Sequence, residues 1–492
     1  MAANPVKNWM ELLDYEISLD PEDWGVSESK GHELITEMVA YLKSIGEKPV
    51  WTKPHPGLMD SKKENWNEAP KDLNQIYSLF RDFILPYPSG NIHPRFWSWV
   101  QGTGSITAAY ADFLASVMNS NVTIGDHAAM YIDQQVIRWF NELMGFDPAQ
   151  ASGILLSGGS MANITGLLIA RNSFDPSIRA EGIQNRVKPL VFYASDETHS
   201  CQQKAAEILG LGVKSLHRVS VNAEYEMDTD ALIEAIESDI QDGKDPFCIV
   251  ANVGTVNTGA IDPIKKISDI CKKYKLWLHI DGAFGALVKL LPEYHDQVND
   301  MALADSIAFD LHKWMYLPYE AGCLLVKDKT KHRNAFAQQP NYLIMHDRGL
   351  SSGPEPIGNF GMELSRGFKA LKIWFCLQEH GRKKYTDLIR QNIAQCLYLA
   401  DKIKLHSALE LMAPVSMNIV CFRYVREGLN LTQLNTINKE ILMQLHERAI
   451  ATPSYTILDG QYVIRVAHVN HRTKKTDFDA LIAGVVEIGE GL

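Results

Sequence analysis

The chain contains no apolar run long enough to cross a bilayer, and its opening residues, MAANPVKNWMELLDYEIS, carry no apolar stretch that could act as a secretion signal. Cysteine is sparse. Cys201, Cys248, Cys271, Cys323, Cys376, Cys396 and Cys421 are scattered, odd in number and free of any CxxC pair. That pattern excludes a disulfide framework, argues against structural zinc, and points to a reducing compartment. A cytosolic protein is therefore expected. Basic residues are outnumbered, 48 Lys and Arg against 59 Asp and Glu, for a formal net charge of -11. Such a balance speaks against nucleic acid or an anionic membrane as partner, though not against a small charged substrate. Internal repeats and low-complexity tracts are also missing.

What is present is a large foldable chain. Its 492 residues, 46% hydrophobic and 22% charged, exceed the usual single-domain size, so more than one structural unit is expected. Residues 1–85 look like an arm with little core of its own: Leu34, Ile35, Met38, Val39 and Leu42 form one helical stripe, and a Pro-, Trp- and Lys-rich stretch follows. It is expected to pack on a second subunit. From residue 86 to 385 the pattern becomes strand–helix alternation, after helical periodicity between Tyr110 and Arg138. GILLSG, KPLVFYAS, FCIVANVG, LWLHIDGAFG, SIAFDLHKW and GCLLVKD read as short buried strands. NITGLLIARNSF, CQQKAAEILG and IKKISDICKKYK read as the helices between them. This predicts an α/β domain with a mostly parallel sheet covered on both faces. A polar stretch from Arg333 to Gly361, with SSGPEPIGN inside it, predicts a long functional loop. Residues 386–492 read as a smaller α+β unit, with MNIVCFRY and YVIRVAHV as strands and helices near Leu434–Glu447 and Asp477–Ile488.

In parallel sheets, ligand-binding groups gather beyond the carboxyl ends of the strands. Five segments place polar residues there. SIAFDLHKWMYLP delivers Asp310, His312 and Lys313. A lysine after a strand is ordinarily a solvated cation, but Trp314, Met315 and Tyr316 predict an apolar setting that frees its amine as a nucleophile, able to form a Schiff base with an aldehyde cofactor. LWLHIDGAFG runs straight into Asp281. Either that carboxylate caps the turn at Gly282, or it pairs with the pyridinium nitrogen of pyridoxal phosphate and keeps the ring an electron sink. Ala283 and Gly285 are small enough to let a flat ring approach. LLSGGSMANITGLL offers an anion site at a helix start, with backbone from Gly158 and Gly159 and side chains from Ser160 and Asn163. It is neither GxGxxG nor a P-loop, and an ordinary turn favours the same residues. His199 in SDETHSC and Thr255 in NVGTVNTG each follow a strand. Taken singly, each is more often a packing or turn residue.

HPRFW, SDETHSC, HIDGAFG, FDLHKW and VNHRTKKTD, in this order, resemble the group II pyridoxal-phosphate-dependent amino-acid decarboxylases over residues 30 to 490. The resemblance implies a fold-type-I enzyme: a homodimer with its sites at the subunit interface, removing the carboxylate of an L-amino acid through a Schiff base on Lys313. It further implies that Asp281 pairs with the ring nitrogen, that His199 stacks on the ring, and that Thr255 and Ala283 line the cofactor. Gly159, Ser160, Asp310 and His312 would surround its phosphate or the lysine. The family's substrate positions fall on Trp99, Val122 and His127. Aromatic decarboxylases carry a loop Tyr that protonates the product carbon; here that position falls near Ile357, and GLSSGPEPIGNFGM has no Tyr. Tyr342 lies too early, and His346 is an alternative donor. Loss of that Tyr in relatives permits oxygen-dependent aldehyde formation. An aldehyde synthase is thus the second reading, and a non-catalytic binding protein of the same fold the third.

Overall fold

The computed structural model describes residues 17–63, 69–338, 340–341 and 344–492; the side chains of Met59 and Ser61 fall outside it. The chain divides into two compact units, Met1–Lys48 and Pro49–Leu492. In the first, Asp23 caps the helix Trp24–Lys43 by accepting from the Gly25 and Val26 N–H groups. The apolar stripe is only partly covered, since Ile35 is 45% and Val39 39% exposed.

The second unit contains twelve strands among the described residues: β1 (Phe96–Trp97), β2 (Ser152–Leu156), β3 (Leu190–Ser195), β4 (Leu216–Val219), β5 (Asp245–Asn252), β6 (Trp277–Asp281), β7 (Ser306–Asp310), β8 (Gly322–Val326), β9 (Leu409–Leu411), β10 (Ile419–Tyr424), β11 (Thr452–Leu458) and β12 (Gln461–Ala467). Seven form one sheet in the order β2-β8-β7-β6-β5-β3-β4. The β3–β4, β3–β5, β5–β6 and β6–β7 pairs are parallel, while β8 runs antiparallel to both β2 and β7. Every residue of β3, β6, β7 and β8 is buried, as strands covered on both faces require. The architecture is the α/β fold with a mostly parallel sheet that the strand–helix alternation predicts.

The second sheet has the order β1-β11-β12-β10-β9, antiparallel except where β1 joins β11. With the helices Leu431–Glu447 and Lys475–Gly491 it encloses a core of its own, containing Val420, Phe422, Ile464, Phe478 and Val485. Trp97, brought in by β1, stacks on Phe478 with centroids 4.7 Å apart. The HPRFW segment is thereby anchored in the C-terminal core.

Some elements differ from expectation. β1, β4, β9 and β11 were not legible as strands. A long helix, Ala370–Lys404, is interrupted at Gly381, where φ is 65°. The long polar stretch is more structured than its composition suggests. The helix Lys329–Phe336 enters it, and Ile357 opens a short turn in which its side chain is buried and its N–H donates to Thr123 O at 2.8 Å. Tyr342 lies outside the described residues. His346 is exposed, and its N–H donates to Ser351 O at 2.9 Å.

Candidate active site

The carboxyl ends of β2, β3, β6 and β7 converge on one cavity of about 840 Å³, within the range of small-molecule sites. Gly159, Ser160, His199, Asp281, Ala283, Asp310, His312 and Lys313 all line it. The strand-end residues thus meet in space, although more than 150 positions separate the first of them from the last.

Lys313 lies one turn beyond β7, and its Nζ stands 3.0 Å from Asp310 Oδ2. The expected apolar wall around this amine is not what the structure shows. Trp314 Nε1 and Tyr316 OH are turned into the interior, where both donate to Asn392 Oδ1 at 3.0 and 2.8 Å. The aromatic neighbours therefore anchor the lysine's turn to the helix Ala370–Lys404, and a carboxylate faces the amine. His312 accepts from Ala321 N–H on Nδ1 at 3.1 Å, so its proton sits on Nε2, 3.7 Å from Asp310 Oδ2. Burial lowers its pKa and keeps it neutral. Tyr319 lies with its ring 4.5 Å from that of His312.

Asp281, the last residue of β6, is buried. Its Oδ1 accepts from Ala283 N–H at 3.1 Å and its Oδ2 from Gln202 Nε2 at 3.1 Å. Cys201 Sγ is 3.9 Å from the same Oδ2, and burial holds this thiol well above its ordinary pKa, so it faces the carboxylate as neutral S–H. His199 accepts from Cys201 N–H on Nδ1 at 3.1 Å, which leaves its protonated Nε2 free for the cavity.

The helix Gly159–Phe174 begins at the cavity wall. Its N-cap is Gly158, which has no side chain to cap with. The N–H groups of its first turn are therefore available, at the positive end of a sixteen-residue helix, with Ser160 exposed beside them. Gly159 could not be larger: a Cβ there would stand 2.7 Å from Asp310 Oδ2.

Not every expected residue arrives. Thr255 is fully buried in the turn after β5, its Oγ1 bonded to Thr258 Oγ1 and to Ala260 N–H, both at 3.0 Å, and it is not part of the cavity wall. Trp99 lines the cavity and is 64% exposed at its mouth. Val122 and His127 do not line it within one chain. Val122 is buried, its N–H bonded to Arg366 O at 2.8 Å and its carbonyl to Arg366 Nη1 at 2.6 Å, and His127 begins the helix Ala128–Met144.

Other wall residues were not foreseen, notably Phe284, Tyr455 and Arg465. Arg465 projects from β12 and donates to Trp99 O at 2.8 Å, Val256 O at 2.6 Å, Asn257 O at 3.0 Å and Ser454 Oγ at 3.3 Å. Even with burial lowering its pKa to about 10 it stays charged, and it ties two loops and the neighbouring strand β11 together at the cavity. Nothing near it in sequence signals this, because its partners lie up to 366 residues away.

This set of donors fits pyridoxal phosphate. A lysine amine can hold the aldehyde, a buried carboxylate without a cation among its hydrogen-bond donors can meet a ring nitrogen, and an uncapped helix start can take the phosphate. The buried Asp310 Oδ1 has no hydrogen-bond partner and is one further site for a donor.

Comparison with known proteins agrees. The pyridoxal-dependent decarboxylase conserved domain matches residues 56–425. An aromatic-L-amino-acid decarboxylase from Bacillus atrophaeus is 30% identical over 94% of this chain and 95% of its own length. A phenylacetaldehyde synthase from a Rosa hybrid cultivar is 26% identical over 92% of this chain and 90% of its own. Among solved structures, Oryza sativa TDC with pyridoxal phosphate and tryptamine superposes with a TM-score of 0.88 at 23% identity, covering 96% of this chain and 99% of that one, which shows a shared fold. The chain is a member of the pyridoxal-dependent decarboxylase family, carboxy-lyases that act on amino acids with pyridoxal phosphate as cofactor.

Proposed function

We propose that this chain decarboxylates an aromatic L-amino acid to the corresponding amine and CO2. The observation that carries this reading is the meeting of Lys313, Asp281 and His199 in one cavity whose remaining wall is rich in aromatic rings: Trp99, Phe284, Tyr319 and Tyr455. Lys313 would hold the cofactor, Asp281 would meet its ring nitrogen, His199 would lie against the ring, and the Gly159–Ser160 helix start would take its phosphate. When bound, the cofactor supplies a sink for the electron pair left by CO2. The protein's own part is positional. Asp310 faces the Lys313 nitrogen, the neutral His312 braces the lysine's turn through Ala321, and the aromatic wall takes the substrate side chain.

A second copy of the chain completes the cavity. The helix Ile106–Met118 exposes Tyr110, Phe113, Leu114, Val117 and Met118 at helical spacing, with Phe113 61% and Val117 70% exposed. A contiguous apolar face of this kind is characteristic of an interface.

One observation favours a second outcome. Ile357, near which a loop tyrosine is expected, is buried and does not line the cavity. Without a positioned proton donor, oxygen can intervene: amino acid, O2 and water give aldehyde, CO2, ammonia and hydrogen peroxide.

The test is to load the purified protein with pyridoxal phosphate and follow CO2, amine and dissolved oxygen with each common L-amino acid. CO2 and amine without oxygen uptake, from aromatic substrates, is the expected result. Oxygen uptake with peroxide and ammonia establishes the aldehyde synthase. Absence of CO2 from every amino acid overturns both, and Lys313→Ala must abolish turnover and the visible absorbance of the lysine-bound cofactor alike.

A further inference from the structure

Behind Asp281 runs an unbroken line of buried hydrogen bonds. Gln202 Nε2 donates to Asp281 Oδ2 at 3.1 Å and to Asn163 Oδ1 at 2.9 Å. His279 Nε2 meets the same Asn163 oxygen at 2.9 Å, and its Nδ1 lies 2.8 Å from Ser306 Oγ. Trp277 Nε1 donates to Ser306 Oγ, also at 2.8 Å. Gln202, Asn163, His279 and Ser306 are all at most 1% exposed.

The direction of every bond can be assigned. Asn163 spends its Nδ2 on Gly159 O at 2.8 Å, so its Oδ1 is the acceptor for both His279 and Gln202. His279 therefore carries its hydrogen on Nε2, and its bare Nδ1 accepts from the Ser306 hydroxyl, which in turn accepts from the indole. Burial lowers the His279 pKa to about 4, which keeps the ring in this neutral form. Gln202 cannot turn over, since its oxygen would then face both the Asp281 carboxylate and the Asn163 carbonyl.

Gln202 has a cost built into it: its own buried Oε1 has no hydrogen-bond partner. A leucine or methionine would fill the same space without an orphaned polar atom. What the glutamine alone contributes is an N–H aimed at Asp281. With Ala283 N–H on the other carboxylate oxygen, the plane of the carboxylate is fixed from behind, and Asp281 still lines the cavity.

We propose that Gln202, clamped by Asn163 and His279, is a positioning residue that sets the Asp281 carboxylate for the ring nitrogen of pyridoxal phosphate, and so determines how strongly this chain prefers a cofactor with that nitrogen to one without it. The proposal rests on the assignment of Lys313 and Asp281 to cofactor binding. Gln202 is also tied to His199, whose carbonyl accepts from the Gln202 N–H at 3.1 Å.

The test compares the affinity of the apoenzyme for pyridoxal phosphate and for its 1-deaza analogue, in which ring N is replaced by CH, by absorbance titration. Gln202→Met keeps the volume and removes the donor. It should lose about tenfold in affinity for pyridoxal phosphate, as expected for one hydrogen bond to a charged group, with affinity for the analogue unchanged. Gln202→Glu keeps the shape, replaces the donor by an acceptor, and should lose more, again for pyridoxal phosphate only. Equal losses for both ligands would make Gln202 a packing residue and overturn the proposal, as would an unchanged preference in both variants. Failure of the unmutated protein to bind either ligand through Lys313 would instead overturn the cofactor assignment on which the proposal stands.

Discussion

Gly102 packs directly against the main chain of Lys313: a Cβ at position 102 would stand 2.6 Å from the Lys313 carbonyl oxygen and would also strike that of His312. Both contacts are to backbone, which cannot swing aside as a side chain can. Gly102→Ala must therefore displace the lysine's turn. The expected result is a folded protein with at least about tenfold weaker attachment of pyridoxal phosphate, read by absorbance titration. Gly367→Ala, where a Cβ meets nothing within 4 Å, is the control and should titrate like the parent. If the two variants behave alike, the turn is not held by this contact.

His332 offers a pH prediction. It is fully buried; its Nε2 donates to Phe360 O at 2.7 Å, so its Nδ1 accepts from Ser152 Oγ at 2.8 Å. Burial lowers its pKa from 6.5 to about 4. Below pH 6.5 the unfolded chain thus binds a proton that the folded chain refuses, and stability falls as pH falls toward 4. His332→Gln can make both bonds and has nothing to titrate. In urea unfolding, the parent should lose about 2 kcal/mol relative to this variant between pH 7.5 and 5. A constant difference across that range would mean the ring is protonated in the folded state.

The exposed face of the helix Ile106–Met118 predicts an assembly. Val117→Glu adds a charge at the centre of an apolar contact but touches almost nothing within its own chain. Sedimentation should show a dimer for the parent and a monomer for the variant, with unfolding shifted by no more than about 0.5 kcal/mol, as for a surface substitution. A variant that remains dimeric would place the interface elsewhere.

Ile357→Tyr tests whether restoring a tyrosine restores a proton donor. The side chain at 357 is buried and the N–H is bound to Thr123 O. Overpacking should cost about 1–3 kcal/mol and leave the ratio of amine to aldehyde unchanged. A ratio that moves toward amine would show instead that this segment reaches a reacting carbon.

Strands buried on both faces were legible because short, largely apolar runs such as VFYA and SIAF are the pattern such strands require. Their order in the sheet was not, since it depends on which long-range pairs form. β11 escaped because it contains Pro453 and alternates buried with exposed residues, and β4 because only its two ends are buried. At the site, Lys313, Asp281 and the Gly159–Ser160 turn were legible as chemistry at strand ends. Gln202 and Arg465 were not: an amide on a helix and an arginine in a strand acquire meaning only from Asp281, 79 positions away, and from Trp99, 366 positions away. Thr255 was read from its place after β5, but its hydroxyl is committed to its own turn.

The bonds that seat residues 94–103 have a consequence for biosynthesis. Trp99 O is held by Arg465, Thr103 O by Arg472, and Pro94 O by Thr473. These donors are translated after the strands of the large sheet, which can already have left the ribosome, where folding proceeds from the N-terminal side as the chain emerges. The mouth of the cavity therefore closes only after the large sheet is available, and a nascent chain stalled before residue 465 would carry the strands of that sheet with the segment bearing Trp99 and Gly102, and so the turn of Lys313 that Gly102 packs against, not yet fixed.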